Sequence, residues 1–289
     1  MSQTPSQLKA AIAKLDALPA MPVVVQKILA LPLDTDEGEH ELLKLIGKDP
    51  QISAKIIGLA NTPLFGASKK VTSITDASML LGLTRVKSVA VGIAVMSTLT
   101  RQPQGKLKVQ DLWLHSMGVA LAIRILARAM PLRTRPLDDE IFLAGLLHDI
   151  GYLVMNFVDP TLSDELVDRM AAQPETPVET LEKELLGIGH NELGALLATH
   201  WELPESVVAV LRYHHQPDEE GAALGQPLVG LVNIAEKLLS TFGIAEHVAS
   251  DIPDEEWQSF GIDPARAEEI TAAILEQAEQ TRQVASLLG

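Results

Sequence analysis

The sequence predicts an all-α protein in which an N-terminal lobe of short helices packs against a larger helical bundle. Hydrophobic residues make up 47% of the 289 residues but aromatic residues only 3%, so the core is built mainly from aliphatic side chains, which favours helix packing. Apolar residues recur at helical spacing, and no stretch shows the sustained period-two alternation of a strand. The predicted loops are short, as is usual between packed helices.

Short helices separated by capping and breaking residues are predicted across the first hundred residues. Leu8, Ile12 and Leu15 repeat at helical spacing, and the prolines that follow end this opening helix. Asp49 is the predicted N-cap of a helix whose first position is Pro50. The remaining predicted helices are 23–31, 41–47, 77–81 and 84–99, with a turn at 35–38 and a loop at 64–66.

Longer helices are predicted after the polar stretch 101–105, which is the one candidate boundary in the chain. The change from short to long helices at this point predicts two parts that pack against each other. The predicted longer helices are 111–130, 139–157, 164–172, 178–186, 192–201, 204–214, 227–241 and 264–288.

Composition excludes several classes of protein. The chain has no cysteine, so it can form neither a disulfide nor a thiolate metal site. It lacks a signal-peptide pattern at its start and an uninterrupted apolar run of about 18 residues, which predicts a cytoplasmic protein without a membrane span. The net charge of −15 argues against sequence-independent binding to nucleic acid.

Basic residues are nevertheless concentrated in one part of this acidic chain. They fit two interpretations, either solvated helix faces or a surface for an anionic ligand or an acidic partner. The residues are Lys69, Lys70, Arg85, Lys87, Arg101, Lys106, Lys108, Arg124, Arg128, Arg133 and Arg135.

One apolar stretch carries an adjacent imidazole and carboxylate. Residues 142–151 are apolar apart from His148 and Asp149, and Gly151 offers a C-terminal stop. The acids at 138–140 supply a candidate N-cap and a favourable first turn. The stretch therefore predicts a buried helix with the His–Asp pair at its inner end.

The other histidines decide whether this pair belongs to a site. Imidazoles and carboxylates gathered from several helices are the ligands that a divalent metal needs where thiolates are absent. Structural interpretations stay open, because a histidine at a helix C-terminus is favourable without metal and Glu236 could pair with Lys237 or Arg212. The candidate ligands are His115, His148, Asp149, His190, His214, His215 and Glu236.

The chain also carries a set of motifs that occur together in one known family. Residues 49–66 read DPQISAKIIGLANTPLFG and residues 18–22 read LPAMP. Residues 113–116 read WLHS, 190–194 read HNELG and 201–204 read WELP. In this combination the sequence resembles the HDOD domain, the HD-related output domain of bacterial signalling proteins.

The resemblance implies both a domain organisation and a site. It covers residues 14–245, with the N-terminal lobe at 14–100 and an HD-like subdomain at 107–245, and it leaves 246–289 as an unexplained helical tail. The related HD and HD-GYP proteins are metal-dependent phosphohydrolases, and the HD-GYP enzymes degrade cyclic di-GMP. By this resemblance the seven candidates bind a divalent metal such as Fe or Mn, with Glu236 where the relatives carry Asp.

Two departures from the HD-GYP pattern argue against hydrolysis of cyclic di-GMP. Tyr152 stands where those enzymes carry a lysine, and a neutral phenol cannot replace that charge. No Gly-Tyr-Pro motif follows. The resemblance thus implies a regulatory module that receives its input in trans, contacts signalling protein partners and is catalytically weak or inactive. A metal-dependent phosphohydrolase and a sensor that binds a nucleotide or phosphate ligand stay open as alternatives.

Overall fold

The computed structural model describes residues 18–100, 105–244 and 251–288. These residues form α-helices and short 3-10 helices and no strand, so the predicted all-α class is confirmed. The opening helix with Leu8, Ile12 and Leu15, and residues 101–104 of the predicted boundary, lie outside the described ranges. The α-helices are α1 Val23–Leu29, α2 Asp36–Gly47, α3 Pro50–Ala60, α4 Ile74–Leu81, α5 Leu83–Leu99, α6 Val109–Ala129, α7 Asp138–Leu147, α8 Ile150–Val158, α9 Pro160–Ala172, α10 Val178–Leu186, α11 His190–His200, α12 Glu205–Tyr213, α13 Leu228–Leu239, α14 Asp254–Ser259 and α15 Ala267–Leu288, and the 3-10 helices are Pro63–Phe65, Leu132–Thr134, Glu220–Gly225 and Pro264–Arg266.

Side-chain caps set several of the helix starts. Asp49 accepts hydrogen bonds from the backbone N–H groups of the first turn of α3, as predicted. Thr35 caps α2, so that helix begins at Asp36 and the predicted turn at 35–38 is its first turn. Asp159 caps α9, which therefore begins at Pro160 and not at 164 as predicted. Leu137, and not an acid, holds the N-cap position of α7.

Helix α5 joins the N-terminal helices to the rest of the chain. Gly82, with a φ of 86° that favours glycine, is the single residue between α4 and α5, and these helices meet at 116°. Most of α5 is buried, and it packs against α1, α7 and α8. The short helices thus pack on the bundle through α5, as predicted, while the domain bounds at 14 and 245 lie outside the described residues.

Helix α6 is the central helix and contributes to both apolar cores. Leu112 and Met117 join the core that includes the N-terminal helices, whereas Val119 and Ile123 join the core shared with α13 and α15. Among the described helices, α6 alone is long and apolar enough to cross a membrane, and counting each bent pair, α4–α5 and α7–α8, as one segment gives up to three. In this fold 78% of the relevant window of α6 is buried inside the protein, so core packing accounts for its apolar composition.

The predicted helix at 139–157 is interrupted at the His–Asp pair. Helix α7 ends at Leu147, α8 begins at Ile150, and the two are bent by 40°. The prediction that Gly151 stops a helix is wrong, because Gly151 lies in the first turn of α8. A Cβ at this position would clash with the backbone carbonyl of His190, so the glycine lets α8 and α11 pack with their backbones in contact.

We expect Gly151→Ala to lower the free energy of unfolding by at least about 1–3 kcal/mol, because an added methyl group must displace backbone in a packed core. Gly58→Ala is the matched control, since no heavy atom lies within 4 Å of a Cβ there. That change should be neutral or stabilise α3 by about 0.5–1 kcal/mol through helix propensity. Urea unfolding measures both, and equal stabilities would contradict the close packing of α8 on α11.

The C-terminal residues are part of the fold. Helix α15 packs along α6, and its residues Ile270, Ile274 and Ala278 are buried in the core shared with α13. The short helix α14 before it was not predicted, but Trp257 of this helix is buried in the same core. The segment that the resemblance left unexplained therefore covers one side of the central helix.

Candidate metal centre

The structure brings all seven predicted site residues together inside the bundle. They come from helix junctions and inner faces: His115 on α6, His148 and Asp149 between α7 and α8, His190 at the start of α11, His214 and His215 after α12, and Glu236 on α13. Six of the residues are at most 2% exposed, and the side chain of His215 is 6% exposed. Their assignment as metal ligands stays a prediction, but their convergence is a feature of the fold.

Asp149 lies at the centre of the cluster. Its Oδ2 atom is 3.5 Å from Nε2 of His115 and 3.2 Å from Nε2 of His148. Its Oδ1 atom is 3.5 Å from Nε2 of His190 and 3.6 Å from Nε2 of His214. Although Asp149 is the residue before α8, its side chain makes no capping bond, so both oxygens face the histidines.

The cluster divides into two sets of donors on either side of Asp149. His115, His148, Asp149 and Glu236 form one set, and His190, His214 and His215 form the other, with the donor atoms of each set within 4.8 Å of one another. Glu236 Oε1 is 2.8 Å from His148 Nε2 and 3.4 Å from His115 Nε2. The alternative partners of Glu236 are engaged elsewhere, because Lys237 pairs with Glu256 and Arg212 with Glu192.

Backbone carbonyls orient three of the imidazoles. Nδ1 of His115 donates to the carbonyl of Phe242, and Nδ1 of His148 donates to the carbonyl of Gly145, each at 2.8 Å. Nδ1 of His214 lies 3.0 Å from two carbonyls in the last turn of α12. Since a carbonyl only accepts, each Nδ1 carries the proton, and a neutral ring presents a lone pair at Nε2 to the cluster.

The imidazole nitrogens and carboxylate oxygens that face the centre of the cluster cannot all form hydrogen bonds with one another unless a proton or a cation lies among them. Nε2 of His190 is 3.3 Å from Nε2 of His214 and 3.2 Å from Nε2 of His215. Both oxygens of Asp149 and one oxygen of Glu236 are buried without a hydrogen-bond partner, which is costly in a protein interior. Such a set of nitrogen and oxygen donors fits a divalent metal, so the buried cluster can hold a metal ion.

The pKa shifts of His115, His148, Asp149 and Glu236 also indicate that the cluster favours positive charge beside its carboxylates. Burial lowers the pKa of His148, but the charge of Asp149 and the close approach of the carboxylates of Asp149 and Glu236 to Nε2 outweigh burial and raise this pKa well above its usual value. The same balance raises the pKa of His115. Burial raises the pKa of Asp149 and of Glu236, yet the neighbouring histidines hold both well below their usual range. Both carboxylates thus stay ionised and attract a cation.

Comparison with known proteins identifies the family. Residues 18–217 match the HDOD domain, which is more than half of the chain. The chain belongs to the HDOD domain family. The resemblance inferred from the sequence motifs is therefore confirmed, and the match includes every candidate ligand except Glu236.

Two solved structures and one sequence relative are similar to this HDOD protein at low sequence identity. An HDOD domain protein with unknown function from Geobacter sulfurreducens is 26% identical, with a TM-score of 0.76 over 96% of this chain and 98% of that one. A candidate signal transduction protein from Marinobacter aquaeolei VT8 is also 26% identical, with a TM-score of 0.81 over 100% of this chain and 62% of that one. An uncharacterized protein of Treponema pallidum (strain Nichols) is 27% identical over 96% of this chain. The chain spans only 53% of the length of that relative.

In this HDOD domain, Tyr152 lies against the cluster. Its ring stacks on the imidazole of His190, with ring centroids 4.4 Å apart and planes inclined by 13°. The residue is 3% exposed, and it also lines a cavity of about 660 Å³ between α8, α9, α10 and residues 240–244. The residue that stands in place of the HD-GYP lysine is thus a neutral wall between the cluster and that cavity.

Glu182 is a functional candidate that the sequence reasoning missed. Its Oε1 atom accepts from Nδ1 of His190 at 2.8 Å, its Oε2 atom accepts from the backbone N–H of His190 at 3.0 Å, and it is fully buried. The available signal was its position between Val178 and Leu186 at spacings of four, on the apolar face of α10. A carboxylate behind an imidazole orients the ring and makes it a better ligand.

We expect Glu182→Gln to weaken metal binding about 10–100-fold, the usual effect of losing a carboxylate that supports a ligating histidine. Glu184→Gln is the control, because Glu184 lies on the same helix with its side chain 61% exposed. Competition with a chromogenic chelator measures both affinities. Equal affinities would show that His190 does not bind the metal or does not need Glu182.

Proposed function

We propose that this HDOD protein is a bacterial signalling module that acts through contacts with partner proteins and keeps a buried divalent-metal centre with little or no phosphoester turnover. The observation that carries the proposal is the burial of the donors: six of the seven residues are at most 2% exposed. A phosphoester must reach the metal-bound water to be hydrolysed. The cluster suits an ion, but the near-complete burial of these donors among the described residues disfavours the entry of a large substrate.

Some residues of the chain would bind the ion directly, and others orient those ligands. The seven candidates would supply the donor atoms. Asp149 belongs to the set with His115, His148 and Glu236, and its Oδ1 atom faces His190 and His214 of the other set. The carbonyls of Gly145 and Phe242 and the carboxylate of Glu182 fix the rings behind them. A bound Fe or Mn ion would supply positive charge and Lewis acidity at the centre.

Stabilisation of a phosphate is weak at this site. Among the residues that the structure describes, no Lys or Arg side chain forms an ion pair with Asp149 or Glu236, whose charged partners are the histidines. Tyr152 adds only a neutral hydroxyl. Catalysis of phosphoryl transfer depends on charge placed where the transition state needs it, so the charge distribution favours a regulatory role.

Two other functions each have one observation in their favour. Two neighbouring donor sets, with Asp149 of one set facing histidines of the other, suit a metal-dependent phosphohydrolase, which would act on a nucleotide or another phosphoester. The cavity of about 660 Å³ that touches Tyr152 suits a sensor that binds a small ligand. The cytoplasmic location and the identity of the metal as Fe or Mn belong to the proposal as well.

The proposal is tested by measuring bound metal and phosphoester hydrolysis on the same purified sample. Elemental analysis of protein prepared without added metal should find a divalent transition metal, and the hydrolysis assay should find almost no turnover. Turnover near one per second that disappears in His148→Ala would contradict the regulatory function and favour the phosphohydrolase.

A further inference from the structure

The basic residues between 69 and 135 separate into those with partners inside the fold and those without. Lys87 donates to the carbonyls of Leu29 and Leu31, Lys106 pairs with Asp168, and Arg135 donates to the carbonyls of Arg128 and Met130. Within the described part of the chain, seven of these side chains form no hydrogen bond or ion pair: Lys69, Lys70, Arg85, Lys108, Arg124, Arg128 and Arg133. Among them, the charges of Arg85, Arg124 and Arg128 act on one another.

These three guanidinium groups lie close enough to repel one another. Burial, together with the charges of Arg124 and Arg128, lowers the pKa of Arg85 to about 10. Arg85 is held between the rings of Phe65 and Phe142, at 5.5 and 5.4 Å from their centroids. Arg124 and Arg128 are one turn apart on α6 and therefore share a face, where like charges are unfavourable. The repulsion marks a place where an added anion would stabilise the protein.

Two exposed leucines lie in the segment that follows α6, the helix of Arg124 and Arg128. Leu132 is 82% exposed and Leu137 is 66% exposed. Both lie in the segment between α6 and α7, which Arg135 ties to the end of α6 through the carbonyl of Arg128. Asp138, next to Leu137, is the acid that acts on both Arg85 and Arg124. We call Arg85, Arg124, Arg128, Leu132 and Leu137 the arginine patch.

We propose that the arginine patch docks an acidic segment of a partner protein, with carboxylates of that segment on the arginines and its apolar side chains on Leu132 and Leu137. This inference rests on the proposed signalling function and names the kind of partner. A cationic, partly apolar patch on a chain of net charge −15 complements an acidic amphipathic segment. A nucleic acid fits less well, because a phosphate backbone makes no use of exposed leucines and the rest of the chain repels it.

The position of the arginine patch also links it to the metal centre. Phe142, whose ring packs against Arg85, lies on α7, and the same helix leads directly to His148. Gly145, one turn after Phe142, provides the carbonyl that orients His148. A partner that moves Arg85 would act on the helix that carries a candidate ligand.

The test uses two fluorescently labelled amphipathic helical peptides. The first carries Glu on one face and Leu on the other, and the second has every Glu replaced by Lys. Fluorescence anisotropy with the full metal-loaded chain should show binding of the Glu–Leu peptide only, and the affinity should fall with salt. Arg124→Glu/Arg128→Glu should weaken binding at least about tenfold, since charge-assisted contacts become repulsive. Leu132→Ser/Leu137→Ser should weaken it too. Lys27→Glu/Lys48→Glu, an equal charge change at exposed lysines elsewhere, should leave it unchanged.

Several results would overturn the docking proposal. They are the absence of peptide binding, equal binding of the Lys–Leu peptide, an equal loss in the lysine control, or equal binding of polyglutamate, which would indicate a general anion site. Sedimentation showing self-association that Arg124→Glu/Arg128→Glu abolishes would make a second copy the occupant and would also overturn it. Bound metal and hydrolysis are measured on the same samples. If the peptide does not bind and no phosphoester is hydrolysed, only the docking proposal is rejected. If phosphoesters are hydrolysed, the proposed signalling function is rejected.

Discussion

Asp149→Ala is expected to abolish stoichiometric metal binding, because Asp149 is the residue that faces both donor sets. One of its oxygens lies near His115 and His148, and the other lies near His190 and His214. Its loss removes an anionic donor from both sides at once and leaves the histidines facing one another. The affinity should fall by more than the roughly 10–100-fold that follows when only a supporting group is lost. Elemental analysis after gel filtration measures metal per chain.

The control for this loss is Asp218→Ala, which removes an exposed carboxylate and should leave metal content unchanged. Asp149→Asn keeps the size of the side chain, so circular dichroism of this variant separates lost metal from lost fold. Asp149→Asn should stay helical and still bind little metal. Unchanged metal content in both Asp149 variants would place the ion elsewhere.

The helical class and most helix starts were predictable because they depend on local chemistry. Asp49 and Pro50 form a favourable helix start by their local chemistry alone, and the aliphatic composition favoured helix packing. The starts that were wrong show the limit of local reasoning. Thr35 and Asp159 cap α2 and α9 before the apolar pattern begins, so periodicity alone placed both helices too late.

The break between α7 and α8 could not be predicted from the local sequence. Apolar residues continue on both sides of His148 and Asp149, which is the pattern of one helix. The interruption is tertiary in origin: Gly151 must touch the backbone of α11, while Asp149 must turn both oxygens toward histidines from other helices. Gly151 matched a stop signal, although its role is close packing.

The site was partly predictable because its chemistry is carried by residue types that are rare in an apolar core. Histidines and acids at helix ends identified the seven candidates, and the family motifs supported them. Glu182 was not predicted to belong to the site, because the sequence does not distinguish a buried acid on a short amphipathic helix from a solvent-exposed one. The enclosure of the cluster was also hidden, since solvent access depends on how five helical segments and Tyr152 meet.

The burial of the cluster and the lack of a nearby cation among the described residues should make the protein a poor catalyst. Metal-loaded protein is expected to hydrolyse cyclic di-GMP, linear dinucleotides and an aryl phosphodiester at less than about 0.01 per second, against the roughly 1–1,000 per second of ordinary enzymes. The missing cation alone accounts for a factor of about 100–1,000, the effect of removing one group that stabilises transition-state charge. The burial of the cluster behind Tyr152 should lower the rate further for bulky substrates.

The small aryl substrate separates these two causes. If burial alone prevents hydrolysis, the aryl phosphodiester should be cleaved much faster than cyclic di-GMP, and Tyr152→Ala should raise the rates for both. If the missing positive charge is the main cause of the low rate, neither the wild type nor Tyr152→Ala should hydrolyse any of the three substrates. His148→Ala provides the background, because it removes a candidate ligand without opening the surface. Fast turnover of cyclic di-GMP by the wild type would show that the cluster opens in solution and that a cation from elsewhere completes it, which would end the regulatory proposal.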